Sequence, residues 1–163
     1  MTRIHTAALA LTAAIAFFVG GWASFAPDSF FDSFPGVLGQ WVATDGPFNA
    51  HLVRDVGAMY LALGAASVAG LVWRSPSVTR LLGLAWTVFG VLHLWYHATH
   101  LDHLDTDAAI GTVVSLTLSL GLGILLLTPA RDDRRRETDA AGTAGPAASA
   151  RPHARTAHEE AAR

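Results

Sequence analysis

Residues 81–101 read LLGLAWTVFGVLHLWYHATHL, a run that contains no Asp, Glu, Lys or Arg. A helix needs about 20 predominantly apolar residues to cross the roughly 30 Å hydrocarbon core of a bilayer. Three further stretches meet this requirement, so the predicted spans are residues 6–25, 55–73, 81–101 and 108–127. The sequence therefore predicts an all-α fold, an integral membrane four-helix bundle over residues 1–127.

The last part of the chain has a different composition. Residues 128–163 contain seven Arg, six acidic residues and three Pro, but no aromatic residue. Such a segment buries too little apolar surface to offset the entropy that it loses on ordering. We therefore expect residues 128–163 to form a disordered cytoplasmic tail.

The overall composition excludes several classes of protein. Of the 163 residues, 52% are hydrophobic, 15% are charged and none is cysteine. Without cysteine the chain has no disulfide, no thiolate-bound zinc and no iron–sulfur cluster. Residues 1–127 contain four Arg, no Lys and seven Asp, so they offer no basic surface for nucleic acid. The expected partners are the lipid bilayer and either a second copy of the chain or another membrane protein.

The placement of the charges predicts the orientation. Arginines precede the first predicted span, flank the connection between the second and third, and follow the fourth: Arg3, Arg74, Arg80, Arg131 and Arg134–Arg136. The other two connections, residues 26–50 and 102–107, contain six Asp and no Arg or Lys. By the positive-inside rule, both termini face the cytoplasm and the acidic connections face the outside of the plasma membrane. An alternative is that the first span, with its apolar run from Ala7 to Gly20, is a cleaved signal peptide, which would leave three spans.

The connection between the first two spans is rich in aromatic residues. Five of the eight Phe residues lie at its start or within it, together with Trp41 and three prolines that prevent a long helix. Two interpretations remain open. The connection either anchors itself in the outer membrane surface or forms a lid over a site beneath it.

Five of the eight histidines lie in the second and third spans or next to them. In the third span His93, His97 and His100 have the spacing i, i+4, i+7 and would form one stripe on a helix. Because a helix rises 1.5 Å per residue, His93 is expected about 12 Å deeper than the outer end of the span. Asp102 and His103 continue this polar cluster beyond that end.

The start of the second span adds polar groups on the same side. Asn49 is a predicted N-cap, and His51 and Asp55 share a helix face at the spacing i, i+4. Arg54 can pair with Asp55 or with an acidic residue of the connection between the third and fourth spans. Antiparallel packing of the second and third spans would place both polar groups at the same depth.

Ionisable groups are costly inside a bilayer and indicate a functional site. Since neutral imidazole is a common ligand of zinc, iron and copper, we predict a site for a transition metal or a small polar ligand. The candidate metal ligands are His93, His97, His100, His51 and Asp55, and the polar residues around them are Asn49, Arg54, Asp102 and His103. The stripe is too long for one ion, so two neighbouring histidines and a group from the second span are expected to bind it. Haem is the weaker alternative, because it needs an opposed histidine pair at one depth.

Other functions remain open at this point. The same residues can form a proton relay, as in a proton-coupled carrier, or a polar pocket without a metal. They can also form a purely structural network in a non-enzymatic scaffold or accessory subunit. Since no strict match to a catalytic motif is present, the sequence leaves enzymatic activity open.

Two stretches resemble a known group of proteins. They are NAHLVRDVG at residues 49–57 and HLWYHATHLDH at residues 93–103. Both resemble small four-span bacterial membrane proteins of uncharacterised function, which are similar in size and topology to the DoxX-like group. The resemblance covers residues 5–127 and implies a four-helix membrane bundle, without an activity, substrate or cofactor.

The predicted orientation can be measured with reporter fusions. Green fluorescent protein fused at Arg131 is expected to fluoresce, and alkaline phosphatase fused there to be inactive, because the arginines keep this end in the cytoplasm. Fusions at Gly46, in the acidic connection, should give the opposite pattern. Phosphatase activity at Arg131 would contradict the predicted orientation.

Overall fold

The computed structural model describes residues 1–37 and 39–129. This part of the chain contains four long helices, one short helix and a two-stranded antiparallel sheet in which Pro35 pairs with Gln40. In chain order the elements are α1 (Arg3–Phe25), α2 (Pro27–Ser33), β1 (Pro35–Gly36), β2 (Gly39–Gln40), α3 (Ala50–Trp73), α4 (Pro76–Ala98) and α5 (Thr106–Leu127). Apart from its first two residues, the predicted disordered tail lies outside the described residues.

The four long helices, α1, α3, α4 and α5, are long and apolar enough to cross a membrane. They contain 22 to 24 residues and have mean hydropathies between 1.4 and 2.2. At 1.5 Å per residue they measure about 33–36 Å, slightly more than a hydrocarbon core. These helices confirm the prediction of an all-α protein with four membrane-spanning helices.

Capping residues define the start of α3 and the end of α4, the two helix ends that carry the predicted polar residues. The Asn49 side chain accepts hydrogen bonds from two backbone N–H groups, each at 3.1 Å, so α3 begins at Ala50 as the predicted N-cap requires. The helix α4 ends at Ala98, three residues before the predicted end of the third span, and Thr99 is its C-cap. His100 therefore lies outside the helix.

The long helices form two closely packed pairs, α1 with α3 and α4 with α5. Glycine brings the backbones together in both pairs. A Cβ atom on Gly57 would lie 2.6 Å from the backbone nitrogen of Ser24, and one on Gly20 would lie 2.8 Å from the carbonyl oxygen of Gly57. Gly83 and Gly123 have the same role between α4 and α5. Because lipid is as apolar as the helices, such close van der Waals contact is what holds membrane helices together.

The two pairs meet through polar and aromatic side chains. Trp86 Nε1 donates a hydrogen bond to Ser67 Oγ at 3.0 Å, which joins α4 to α3. Buried His5 donates from Nε2 to the carbonyl oxygen of Thr128 at 3.1 Å, which joins α1 to the end of α5. The spans therefore form a ring in the order α1, α3, α4, α5.

We expect Gly57→Ala to destabilise the protein in detergent. The new Cβ atom would meet backbone atoms of α1, which cannot move aside as a side chain can, and overpacking of this kind costs about 1–3 kcal/mol. Gly21→Ala is the matched control, because nothing lies within 4 Å of its Cβ position. Thermal unfolding followed by tryptophan fluorescence should show a lower midpoint for Gly57→Ala alone. Equal midpoints for the two variants would contradict the close packing of α1 on α3.

Candidate functional site

The connection between α1 and α3 folds onto the end of the bundle where α1 and α4 finish, which we name the loop end. Trp22 of α1 makes edge-to-face contacts with Phe30 and with Phe34, with ring centroids 6.0 Å apart in each pair. Phe34 contacts Trp41 in the same geometry at 6.3 Å. Such pairs contribute about 0.5–1.5 kcal/mol each beyond burial, so they anchor the connection on α1.

Beyond these aromatic residues the connection crosses to the other helix pair. The indole of Trp41 lies so close to α5 that a Cβ atom on Gly111 would be 2.8 Å from it. Further along, the Tyr96 hydroxyl of α4 donates a hydrogen bond to Asp45 Oδ1 at 3.3 Å. The connection therefore lies across the ends of three helices, in the arrangement of a lid, which is one of the two interpretations that the sequence left open.

Asp45 lies among side chains from two other segments, and we name this group the loop-end cluster: Asp45, Tyr96, His97, His100 and His103. His103, in the connection between α4 and α5, places Nε2 3.6 Å from Asp45 Oδ1. The Tyr96 ring stacks on His100 at 4.4 Å and contacts His97 edge-to-face at 5.3 Å. Asp45, His103 and His100 all act electrostatically on His97. Four ionisable side chains and a phenol therefore share one end of the bundle.

The buried Nε2 atom of His103 is the least satisfied part of the loop-end cluster. It forms no hydrogen bond, because 3.6 Å to the Asp45 oxygen is too long for one. The other ring nitrogen, Nδ1, lies 3.9 Å from Oδ1 of Asp102, whose side chain is 94% exposed. A buried polar atom without a hydrogen bond is costly, so this nitrogen is a candidate contact for a ligand atom or a water molecule.

His93 and His97 have the predicted helical spacing and share a face of α4. Their rings contact edge-to-face with centroids 4.8 Å apart. The His93 ring also stacks on Phe89 at 5.0 Å. Since His93 lies one turn further into the bundle, the two rings connect the loop-end cluster with the helix interior.

Of the three histidines predicted to form a stripe on the third span, only His93 and His97 lie on α4. Because α4 ends at Ala98, the backbone leaves the helical path before His100. His100 Nδ1 lies 2.8 Å from the carbonyl oxygen of Tyr96, to which it donates, and 3.1 Å from the Thr99 hydroxyl. The prediction that His100 extends the stripe is corrected for this reason.

The predicted polar residues of the second span do not join the loop-end cluster. His51 and Asp55 pair with each other, Nε2 to Oδ2 at 3.2 Å, and their side chains are 87% and 61% exposed. Arg54 is exposed as well, and it forms no ion pair within residues 1–37 and 39–129. The expected pairing of Arg54 with Asp55 or with the acidic connection is therefore not observed.

The five predicted metal ligands are consequently not brought together. Within the described ranges, no group of three or more His, Cys, Asp or Glu side chains is placed to hold a metal ion. The physical reason is the position of the exposed pair, His51 with Asp55, in the first turns of α3. No ligand from that helix reaches His93 and His97.

Sequence reasoning found the histidines of the loop-end cluster but missed two of its members, Asp45 and Tyr96. They lie 51 residues apart, so no local spacing connects them. The sequence feature that could have indicated Asp45 was a carboxylate within an aromatic-rich connection already considered as a lid.

No protein-family profile, curated protein or solved structure matches the chain. The fold defines its class, a multi-pass α-helical membrane protein, and the loop-end cluster lies where the connection between α1 and α3 meets the other helix ends. The resemblance to small four-span bacterial proteins and the DoxX-like group stays a prediction.

Tyr96→Phe is expected to loosen the connection over the bundle. The variant loses the hydroxyl that donates to Asp45, and an exposed hydrogen bond of this kind contributes about 0.5 kcal/mol, or roughly a twofold change in opening. Amide hydrogen exchange at Trp41 and Asp45, measured in nanodiscs, should rise accordingly. Tyr60→Phe is the control, because this tyrosine lies inside the bundle. Unchanged exchange in Tyr96→Phe, or an equal rise in both variants, would be the contrary result.

Proposed function

We propose that the protein is a plasma-membrane protein that binds a small polar ligand at the loop-end cluster, on the outer side of the membrane. Both termini then face the cytoplasm. The orientation is supported by Arg3, Arg74 and Arg80, which belong to the end of the bundle opposite the loop end, together with the positive-inside rule.

One observation carries the proposal. The buried Nε2 atom of His103, which forms no hydrogen bond, lies 3.6 Å from the carboxylate of Asp45, where the connection meets the helix ends. Tyr96 and His97 add a phenol and a second imidazole from α4. Ligand sites typically combine a mostly apolar wall with a few convergent polar groups, and the connection that carries Asp45 is rich in aromatic residues.

The side chains favour a ligand that donates hydrogen bonds. Asp45 supplies a carboxylate, and a neutral imidazole accepts through one ring nitrogen, so the cluster is rich in acceptors. A small amine is complementary to such a group, because an ammonium donates several hydrogen bonds and carries the opposite charge. A transition metal would need three or four ligands, and the described part of the chain places no such set.

A second candidate is a structural role, which the contacts of the connection favour. The hydrogen bond from Tyr96 to Asp45 and the contact of Trp41 with Gly111 both hold the connection on the helix ends. In this reading the loop-end cluster binds nothing, and the protein is a non-enzymatic scaffold or accessory subunit.

Ligand binding is measured by nuclear magnetic resonance on the full-length protein in nanodiscs, with labelled histidine and methylammonium chloride as the probe. The ring signals of His97 and His103 are expected to shift saturably. Asp45→Asn should weaken binding about 10- to 100-fold, because a hydrogen bond to a charged group contributes about 1.5–3 kcal/mol. Asp55→Asn makes the same change at an exposed carboxylate outside the cluster and should leave binding unchanged.

Three outcomes separate the candidates. The absence of a saturable shift, or equal weakening by the two Asp variants, would exclude the small polar ligand. Stoichiometric binding of zinc or copper ions added alone, lost in His93→Ala and in His97→Ala, would replace that ligand by a metal. Lower stability of Asp45→Asn, without any binding to the wild-type protein, would establish the structural role.

A further inference from the structure

A cavity of about 30 Å³ lies inside the bundle beside His93. All four spans line it, with Thr12 from α1, Tyr60 from α3, Phe89 from α4 and Ser119 from α5 among the wall residues. A water molecule needs about 10–15 Å³ of such space, so one or two fit. The cavity therefore lies where the two helix pairs meet.

Three polar groups in its walls lack a hydrogen-bond partner within the described residues. The Tyr60 hydroxyl, the His93 ring and the Ser119 hydroxyl form no hydrogen bond with any residue of the described ranges. Tyr60 is nevertheless only 8% exposed. Thr12 differs from these groups, because its hydroxyl donates to the carbonyl oxygen of Leu9 at 2.9 Å.

A hydroxyl or imidazole without a partner costs several kcal/mol inside a membrane, where lipid offers no hydrogen bond. Buried water binds where two to four such groups converge on a space of sufficient size. We propose that this cavity is a binding site for one or two water molecules that bridge Tyr60, His93 and Ser119, and that it forms the inner end of a hydrated path from the loop end.

The path follows the face of α4 that carries His93 and His97. Their rings are 4.8 Å apart, and His97 belongs to the loop-end cluster. The titratable groups that face the cavity are Tyr60 from α3 and His93 from α4, whereas α1 and α5 present no titratable wall residue. At the loop end of the path, His97 lies within the electrostatic influence of Asp45, His100 and His103. Because an imidazole accepts a proton at one nitrogen and releases it at the other, the bound water places His93 in proton exchange with the solution at the loop end.

An apolar molecule in the cavity would form no hydrogen bond with the polar groups of its walls. An acyl chain is far larger than a space for one or two water molecules, and it would leave the Tyr60, His93 and Ser119 groups unpaired. Empty cavities in proteins are lined by apolar side chains, whereas the walls of this cavity include the polar groups of Tyr60, His93 and Ser119 among apolar residues.

Cross-relaxation from water, measured on the full-length protein in nanodiscs without any added ligand, tests the site. The ring protons of His93 should receive magnetisation from water, whereas the methyl groups of Leu9, which is fully buried, should not. Ser119→Val removes a hydroxyl and fills the space, so the signal at His93 should fall severalfold. Ser115→Val makes the same change one turn away on α5, at an exposed position outside the cavity, and should leave the signal unchanged.

Tyr60→Phe is a second variant, which removes a hydroxyl without adding volume. It tests the water site if Ser119→Val does not fold. It should lower the water signal at His93 by about half. Three results would overturn the proposal: no transfer from water to His93 in the wild-type protein, transfer from lipid acyl protons instead, or an unchanged signal in both folded variants. Since no probe is added, failure of the water site leaves the proposed ligand site untouched, and the reverse also holds.

Discussion

Inside a bilayer no water is available for hydrogen bonding, and this constraint governs both the backbone and the side chains of the protein. The backbone satisfies its own groups within four long helices. Side chains in the core follow the same rule where they can: Trp86 donates to Ser67, and His5 donates to Thr128, each across a boundary between helices. Some polar groups are left without such a partner within the described residues, among them His103 at the loop end and Tyr60, His93 and Ser119 around the internal cavity. We propose that a ligand binds at the first of these positions and water at the second.

The bundle combines two kinds of helix contact, and their difference explains where the cavity lies. Within each pair, glycines such as Gly57 let the backbones approach so closely that a Cβ atom would clash with the neighbouring helix. Between the pairs, bulky rings meet instead: Tyr60 contacts Trp86 and Phe89 with centroids 6.3 and 5.2 Å apart. These three aromatic residues, Tyr60, Trp86 and Phe89, line the cavity. The remaining volume therefore lies at the boundary between the pairs, beside His93.

The helices were largely predictable, whereas the site was predictable only in part. Hydropathy over 20 residues located all four spans, and the N-cap signal at Asn49 was confirmed. Hydropathy did not locate the end of α4, because an average over about 20 residues does not resolve the residue at which a helix stops. That error placed His100 on the helix. The spacing of His51 and Asp55 correctly indicated a pair, but spacing carries no information on which side of the helix faces the bundle.

The amino-acid sequence by itself determined the number of spans, the apolar character of the bundle and the pair of histidines on α4, because these are properties of neighbouring residues on one helix. Only the tertiary structure decided that Asp45 lies against Tyr96 and His103, and that Tyr60, His93 and Ser119 surround one cavity. These groups come from segments far apart in the chain. They meet because aromatic contacts and glycine packing hold the connection and the helices in one arrangement, and such contacts follow no local spacing.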